Sequence, residues 1–241
     1  MQPTVSIIVP VYNEAESLPE LTEQIRDAME GAERSYEVWL IDDGSDDGSW
    51  EVIESLRDRD QRIHGVRFRN NYGKSAALSV GFERANGMFV ATLDADLQDD
   101  PAELPAMIEK LEAGADLVSG WKRKRQDPLS KTIPSRFFNT VTRVVSSIPL
   151  HDFNCGIKAY RSEVVKSVRV YGELHRYIPM LAEWAGFTRI EEQEVVHRPR
   201  KYGKTKFGLE RFLRGFLDLI TVMFLTRFAR RPMHFFGGFG T

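Results

Sequence analysis

The sequence predicts an α/β fold: a Rossmann-like, mainly parallel central sheet flanked by helices, with a basic amphipathic helical extension at the C-terminus. Short β-branched runs alternate with amphipathic helical stretches through the first 120 residues, which is the pattern of successive βαβ units. Most of these runs end in polar side chains. The chain also contains no internal repeat and no glycine-serine linker, so we expect both halves to share one core.

Each predicted element follows from a local signal. The first helix is predicted to begin at Asn13, with Glu16 as its reciprocal cap, and to end at Gly31. Asp100 before Pro101 predicts another capped helix start. The strands are predicted at 6–11, 37–41, 63–69, 88–93, 116–119, 156–160 and 189–196. The remaining helices are predicted at 49–58, after Gly73, at 135–147, at 162–168, at 177–185 and from Leu209 onward.

Charge is divided unevenly along the chain. The whole sequence is nearly neutral, with 33 Lys and Arg against 35 Asp and Glu, which excludes a generally basic nucleic-acid binder. Residues 1–120 carry 10 Lys and Arg against 25 Asp and Glu, whereas residues 121–241 carry 23 against 10. An acidic half followed by a basic half predicts two different electrostatic tasks. Cys155 is the only cysteine, which excludes an internal disulfide.

Asp94, Asp96 and Gln98 follow the fourth predicted strand at alternate positions. In an extended segment, side chains at such positions point to the same side, so three oxygen donors would face one ligand. These donors suit Mg²⁺ or Mn²⁺, which completes its shell with water and substrate phosphate oxygens. The competing interpretation is that Asp94 and Asp100 only cap a turn and a helix. Charged residues at the neighbouring strand ends favour the metal site.

Two more strand ends are polar, and ligands of open α/β sheets bind beyond the carboxyl ends of the strands. Asp42 and Asp43 begin an Asp-Asp-Gly-Ser turn, which is either an ordinary turn or a carboxylate site for a nucleobase edge and ribose hydroxyls. Gly73 and Lys74 at a helix start offer backbone donors and a cation to phosphate. The phosphate-loop pattern GxxxxGK[ST] and the dinucleotide pattern GxGxxG are absent, which excludes the standard P-loop and Rossmann oxidoreductase classes.

Four motifs together resemble those of the inverting family 2 glycosyltransferases with a GT-A fold. They are Val9–Glu14, Asp42–Ser45, Asn71–Lys74 and Asp94–Pro101. The resemblance covers about residues 4–231. Within the family, the Ala-Asp-Leu-Gln form resembles the polyprenyl-phosphate hexose synthases, of the dolichol-phosphate mannose synthase and bactoprenol glucosyltransferase kind. The resemblance implies transfer of a hexose from a UDP-glucose or GDP-mannose type donor to undecaprenyl or dolichyl phosphate.

The resemblance also implies roles for individual residues. It places Asp94, Asp96 and Gln98 on the metal, which would offset charge on the departing nucleoside diphosphate. It places Lys206 near the donor diphosphate. It also implies that Pro10, Tyr12, Glu14 and Asp43 line the nucleotide pocket. The full candidate nucleotide-binding set is Pro10, Tyr12, Glu14, Asp42, Asp43, Lys74, Asp94, Ala95 and Lys206. The candidate catalytic residues are Asp94, Asp96 and Arg136.

The acceptor is argued from the chemistry that the second half offers. A sugar hydroxyl needs a general base, whereas a phosphate monoester, with a second pKa near ~6, is already an anionic nucleophile at neutral pH. The second half supplies cations, and the candidate acceptor-phosphate residues are Arg123, Arg136, Arg161, His175, Arg176 and Lys204. The resemblance implies this role for Arg123 and Arg136, while an ordinary surface position is the competing interpretation for each. Lys122, Lys124 and Arg125 are assigned to the solvated surface or to anionic lipid.

The C-terminal segment predicts contact with a membrane. From Leu209 onward, apolar residues fall on one helical face, and a basic cluster at 227–231 precedes an apolar, glycine-rich run. The N-terminus has no signal-peptide pattern, so we expect the cytoplasmic face of a membrane, with an anchor after residue 231. The predicted parts are a glycosyltransferase domain at 1–208, its nucleotide-sugar half at 1–120, its acceptor half at 121–208, and a juxtamembrane helix with the start of a membrane segment at 209–241.

Two alternative functions stay open from the sequence. The same fold could use a sugar hydroxyl of a polysaccharide or lipid-linked oligosaccharide as acceptor, or the chain could bind nucleotide sugars at a membrane without turnover. The expected partners are a nucleotide sugar, polyprenyl phosphate and an anionic membrane surface, with no nucleic acid. The oligomeric state is open, and a homo-oligomer is compatible with the sequence.

Overall fold

The structure, a computed structural model, describes residues 3–123, 139–146, 148–202 and 210–224. Within these ranges a seven-stranded sheet forms the centre of the molecule. Its strands are β1 (Val5–Val11), β2 (Tyr36–Asp42), β3 (Ile63–Arg67), β4 (Phe89–Thr92), β5 (Leu117–Trp121), β6 (Lys158–Arg161) and β7 (Ile190–Glu194).

Helices cover both faces of this sheet. They are α1 (Leu18–Gly31), α2 (Ser49–Arg59), α3 (Lys74–Arg84), α4 (Leu104–Glu112), α5 (139–146), α6 (Ser162–Ser167), α7 (Ile178–Trp184) and α8 (Glu210–Met223). Two 3₁₀ turns, Pro101–Glu103 and Leu174–Tyr177, precede α4 and α7. Within the described ranges, no helix combines the length and apolar composition that crossing a membrane requires.

The strand order decides which residues can share a site. It is β3-β2-β1-β4-β6-β5-β7, with β6 antiparallel to both of its neighbours and the other adjacent pairs parallel. The remaining six strands therefore all end at one edge, which we call the carboxyl edge, and β6 begins there. The β4–β6 pairing joins the acidic and basic halves of the sequence in one sheet. The proposed domain boundaries stay a prediction.

Period-two alternation along the strands builds a core on each face of the sheet. In β1, Ile7 and Val9 pack on the side of α1 and α4, while Ile8 packs on the side of α3 and α6. A third apolar cluster joins Phe153 and Tyr177 to α8 and lies beside the second half of the chain. The sheet is thus buried on both faces, which is typical of a largely parallel sheet.

The predicted elements agree with the structure except at the first helix. Each predicted strand overlaps an observed one, and the Asp100 carboxylate caps the turn before α4 by accepting the Ala102 N–H at 3.0 Å. The prediction that Asn13 caps α1 is wrong, because α1 begins at Leu18 and Asn13 has a φ of 55°. The Asn13 side chain instead bonds the Asp46 side chain and backbone across a neighbouring loop. The predicted helix start at 135–138 and the segment from 225 onward lie outside the described residues.

Candidate active site

The carboxyl edge brings together the polar strand ends that the sequence singled out. The segments that follow β1, β2 and β4 meet there, together with the start of α3. Pro10 lies within β1 opposite Ile41, Tyr12 is partly exposed just beyond the strand, and Ala95 is buried between the two acidic residues of the β4 end. The role of these three residues in a nucleotide pocket stays a prediction.

The Asp42–Asp43 pair is held mainly by backbone N–H groups. The Asp42 side chain is fully buried and accepts the Ser45 N–H at 2.9 Å. The Asp43 carboxylate accepts the N–H groups of Tyr72 and Gly73 at 2.7 and 2.8 Å. Burial raises the pKa of Asp43 above its ordinary value, while these two backbone bonds act in the opposite direction. Asp43 therefore fixes the loop that leads into α3.

Lys74, the first residue of α3, reaches across the edge to Asp94. Its Nζ forms an ion pair with Asp94 Oδ1. Gly73 permits this approach because its φ of 91° lies in the region that favours glycine. Burial would raise the pKa of Asp94, but the Lys74 ammonium and two further lysines outweigh it and lower the pKa to about 2. Asp94 is therefore ionised at neutral pH. Its side chain is 35% exposed, so a ligand can reach it.

Asp96 meets a cation that the sequence interpretation did not include. Arg200 Nη2 donates to Asp96 Oδ2 at 2.6 Å, and Arg200 Nη1 donates to Glu14 Oε1 at 3.2 Å. Burial and the negative charge of Asp94 raise the pKa of Asp96 to about 6, although Arg200 acts in the opposite direction. Arg200 therefore joins the segment after β7 to both the β1 end and the β4 end.

The donor set at the β4 end fits a hard divalent cation. Asp94 and Asp96 supply carboxylate oxygens, and each of them already attracts a cationic side chain, which shows a concentrated negative charge. Gln98 lies beside them, with Nε2 3.4 Å from both His197 Nε2 and the Arg198 carbonyl oxygen. In the part of the chain that the structure describes, no three His, Cys, Asp or Glu side chains are grouped to hold a metal alone. Donor phosphate oxygens would therefore have to complete the coordination shell.

A buried ion pair lies beneath Asp94. Lys122 Nζ is 2.6 Å from Asp99 Oδ1; the Asp99 side chain is fully buried and the Lys122 side chain is mostly buried, with 12% exposed. Burial alone would lower the pKa of Lys122, but the Asp99 carboxylate raises it on balance. A Cβ atom at Gly156 would lie 2.8 Å from Asp99 Oδ2 and would also collide with the Asp94 carboxylate. The assignment of Lys122 to the solvated surface is wrong, because the β5 end carries it inward.

The candidate acceptor cations that the structure describes are dispersed. Arg123 is near the carboxyl edge, with a 62% exposed side chain that lies 3.3 Å from Glu194. Arg161 is at the opposite edge, because β6 runs antiparallel and ends there, and its guanidinium donates to the carbonyl oxygens of Ala115 and Leu111. The structure therefore does not bring Arg161 to the site. Arg136, Lys204 and Lys206 lie outside the described residues.

His175 and Arg176 lie in the 3₁₀ turn Leu174–Tyr177. His175 is buried and bonds Ser75, and Arg176 Nη2 lies 3.5 Å from Glu173 Oε2. Arg200, Asp99 and Lys122 are site residues that sequence reasoning missed. Asp99 lies within the Asp94–Pro101 motif, but Arg200 sits in a run of cations with no local signal to distinguish it.

Comparison with a solved structure defines the fold class. The chain resembles glucosyl-3-phosphoglycerate synthase from Mycobacterium tuberculosis in complex with Mn²⁺, uridine-diphosphate-glucose and glycerol 3-phosphate, with a TM-score of 0.64. The two sequences are 18% identical, and the match covers 93% of this chain and 80% of that chain. This likeness shows a fold of the GT-A type.

Sequence comparisons identify the family. Residues 6–169 match the family described as Glycosyl transferase family 2. The chain belongs to this family.

It is 38% identical over 239 residues to dodecaprenyl-phosphate galacturonate synthase from Rhizobium johnstonii, covering 98% of this chain and 71% of that protein. It is also 38% identical to undecaprenyl-phosphate 4-deoxy-4-formamido-L-arabinose transferase from Pseudomonas aeruginosa, covering 92% of this chain. The chain spans 66% of the length of that second relative.

Proposed function

We propose that this protein transfers a sugar, with inversion, from a nucleoside diphosphate sugar to polyprenyl phosphate. The observation that carries the proposal is the Asp94–Asp96 pair at the carboxyl edge, beside Lys74. Two relatives that match most of the chain have names stating transferase or synthase activity with dodecaprenyl or undecaprenyl phosphate. Carboxylates that would hold a divalent cation, together with the Lys74 ammonium, suit a ligand that carries a diphosphate.

On the donor side, the residues would act by binding and orienting. Asp43 holds the loop at Tyr72 and Gly73, and we assign this loop to the nucleoside side of the donor pocket. Lys74 would exchange its contact with Asp94 for the donor diphosphate as a point charge. Asp94, Asp96 and Gln98 would hold Mg²⁺ or Mn²⁺, which supplies Lewis-acid stabilisation of the departing diphosphate. A solved structure of similar fold contains Mn²⁺ with a nucleotide sugar.

On the acceptor side, the proposal requires cations and no general base. A lipid phosphate is ionised at neutral pH, so its oxygen can attack the anomeric carbon once it is aligned. We assign that alignment to Arg123, Arg136 and Lys204, with Lys206 on the donor diphosphate. The basic second half of the sequence supports this assignment.

A membrane surface is the proposed third partner. Leu217 and Ile220 on α8 are exposed, as is Val144 on the neighbouring helix α5. The opposite face of α8 is anchored by Leu219 and Val222 in the apolar cluster beside the 3₁₀ turn Leu174–Tyr177. This arrangement suits a helix that lies in a membrane interface. Such a position would present the cytoplasmic leaflet's lipid phosphate to the basic half.

The decisive experiment measures transfer of radiolabelled sugar into an organic-extractable lipid. The donors are UDP- and GDP-activated glucose and mannose, together with UDP-activated galacturonate and 4-deoxy-4-formamido-L-arabinose. We expect Mg²⁺- or Mn²⁺-dependent label in undecaprenyl phosphate with at least one donor. Label appearing only in a glycan hydroxyl acceptor would reject polyprenyl phosphate as the acceptor. Metal-assisted nucleotide binding without any sugar transfer would reject the proposed catalytic activity.

A second experiment separates the acceptor site from the donor site. Arg136→Ala is expected to raise the KM for polyprenyl phosphate while leaving nucleoside diphosphate affinity unchanged. Arg161→Ala is the matched control, because its guanidinium binds backbone carbonyl oxygens at the opposite edge. An equal loss of donor and acceptor affinity in Arg136→Ala would contradict its placement.

A further inference from the structure

A buried hydrogen-bonded pair joins the start of α3 to the 3₁₀ turn Leu174–Tyr177. Ser75 Oγ lies 3.0 Å from His175 Nδ1, and the His175 backbone N–H donates to the same Oγ at 3.2 Å. Ser75 is 1% exposed and His175 is 9% exposed. A hydroxyl group can accept one bond and donate another, so both contacts can form at once. The two residues are therefore linked by two hydrogen bonds across 100 positions of sequence.

This pair adjoins the donor side of the active site. Ser75 follows Lys74 directly, and successive residues of a helix point about 100° apart. Ser75 consequently points inward to His175 while Lys74 points along the carboxyl edge to Asp94. A bond that fixes Ser75 also fixes the rotation of the first turn of α3, and with it the direction of Lys74.

The start of α3 has little local support of its own. No described side chain caps this helix, and the residue before it is Gly73, which is the most flexible residue type in the unfolded chain. Two tertiary contacts hold the turn instead. Asp43 binds the N–H groups of Tyr72 and Gly73 from one side, and His175 binds Ser75 from the other.

We propose that His175 is a positioning residue for the donor site. Through Ser75 it holds the first turn of α3 so that Lys74 is aimed at the position of the donor diphosphate. The inference rests on the proposed function, since it concerns how the same site binds its donor. It moves His175 from the acceptor phosphate, where the sequence placed it, to the donor side. A buried imidazole bonded to a buried serine supports a role that is exerted through α3.

Two substitutions and one conservative replacement test the role. His175→Phe and Ser75→Ala are each expected to raise the donor KM, and the Kd for UDP or GDP with Mn²⁺, by roughly tenfold, because a lost buried hydrogen bond releases Lys74. The KM for polyprenyl phosphate is expected to stay within about twofold of the wild-type value, a split between substrates that general destabilisation does not produce. His175→Asn, whose side-chain amide can occupy the place of Nδ1, is expected to restore most of the donor affinity. The double variant is expected to lose no more donor affinity than Ser75→Ala alone, because Ser75→Ala already removes both hydrogen bonds between the two residues.

Ser6→Ala is the matched control. Ser6 is equally buried and donates to Glu37 Oε1 at 2.6 Å, but it belongs to the amino-terminal end of β1, away from the site. We expect this variant to lower the free energy of unfolding without changing the donor KM. Equal donor KM values in His175→Phe and Ser6→Ala would overturn the proposal, and so would a loss confined to the acceptor KM.

A readout without substrate separates this inference from the proposed function. Amide hydrogen exchange across residues 72–77 is expected to accelerate in His175→Phe and in Ser75→Ala, and to stay at the wild-type rate in Ser6→Ala. If the wild-type protein neither binds UDP or GDP nor transfers sugar, the proposed function fails, and faster exchange would still support the link from His175 to α3. Unchanged exchange in His175→Phe would overturn the positioning role whatever the activity.

Discussion

The two aspartate pairs at the carboxyl edge are held by different kinds of partner. Asp42 and Asp43 accept backbone N–H groups, three of them within hydrogen-bond distance. Asp94 and Asp96 instead form ion pairs with the side-chain cations Lys74 and Arg200, and Asp96 also accepts the Gln98 N–H at 3.2 Å. Backbone donors are fixed to the chain, whereas a flexible cationic side chain can leave for another anion or be replaced by a metal ion. The first pair therefore shapes the pocket, and the second pair is available for exchange with ligands.

The pKa values follow the same division. Burial raises the pKa of Asp43, and its backbone donors only partly oppose that effect. Nearby lysines hold the pKa of Asp94 at about 2, while the Asp94 charge helps to raise that of Asp96 to about 6. The negative charge of Asp94 thus makes ionisation of Asp96 less favourable, and a further cation at this position would reduce the repulsion between the two carboxylates.

The largest expected effect is on kcat, and it comes from replacing Asp96 of the Asp94–Asp96 pair. Asp96→Ala should lower kcat by roughly 10²–10³-fold at saturating Mn²⁺, because an electrostatic contact made in the transition state is lost. Asp116→Ala is the control, since its carboxylate accepts the Arg189 N–H at the start of β5. Undiminished turnover in Asp96→Ala would show that the Asp94–Asp96 pair does not hold the metal.

Replacing Asp43 of the Asp42–Asp43 pair should have an intermediate effect, on nucleotide affinity. Asp43→Asn leaves one acceptor oxygen for two N–H groups, so the loop before α3 should loosen and the Kd for UDP or GDP should rise about tenfold. Calorimetric titration measures this change. Asp60→Asn is the control, because Asp60 accepts the Arg62 N–H at the other edge of the sheet. If Asp43→Asn changed kcat alone, the assignment of Asp43 to pocket structure would be wrong.

A smaller effect is expected from the cation that faces Asp96. Arg200→Gln removes the charge that competes for Asp96 and Glu14, so Mn²⁺ should bind the nucleotide-free protein several-fold more tightly. Electron paramagnetic resonance of free Mn²⁺ measures the affinity directly. Arg198→Gln is the control, because Arg198 pairs with Asp100 and Gln24. Equal Mn²⁺ affinities in the two variants would show that Arg200 does not compete with Mn²⁺ for Asp96.

The smallest expected effect is on the free energy of unfolding, and it concerns Asp100, a carboxylate near Asp94 and Asp96 that has a structural role. Asp100→Ala removes the cap of the turn before α4 and should lower the free energy of unfolding by about 1 kcal/mol. Asp100→Ser keeps a capping oxygen while losing the ion pair with Arg198, so it should retain most of the stability. Urea denaturation separates the two variants, and a large drop in kcat for either would place Asp100 in the chemistry.

Local sequence signals predicted the strands and the edge on which the polar residues meet. Asp43, Lys74, Asp94 and Asp96 each follow a strand or begin a helix, so a parallel sheet places them together. The Asn13 cap failed because a loop 33 residues away, at Asp46, binds its side chain. That contact depends on the packing of β1 against β2, and no local pattern contains it.

The sequence by itself determined the elements, the parallel βαβ order and the chemistry of the strand ends, because periodicity and turn residues act over a few positions. Tertiary structure alone decided the direction of β6, which sends Arg161 to the opposite edge, and the partners of Asp96 and Ser75. Those partners are about 100 residues away in the chain. Their pairing depends on how whole elements pack, since a charge shows which partner would suit it but not which one the fold brings within reach.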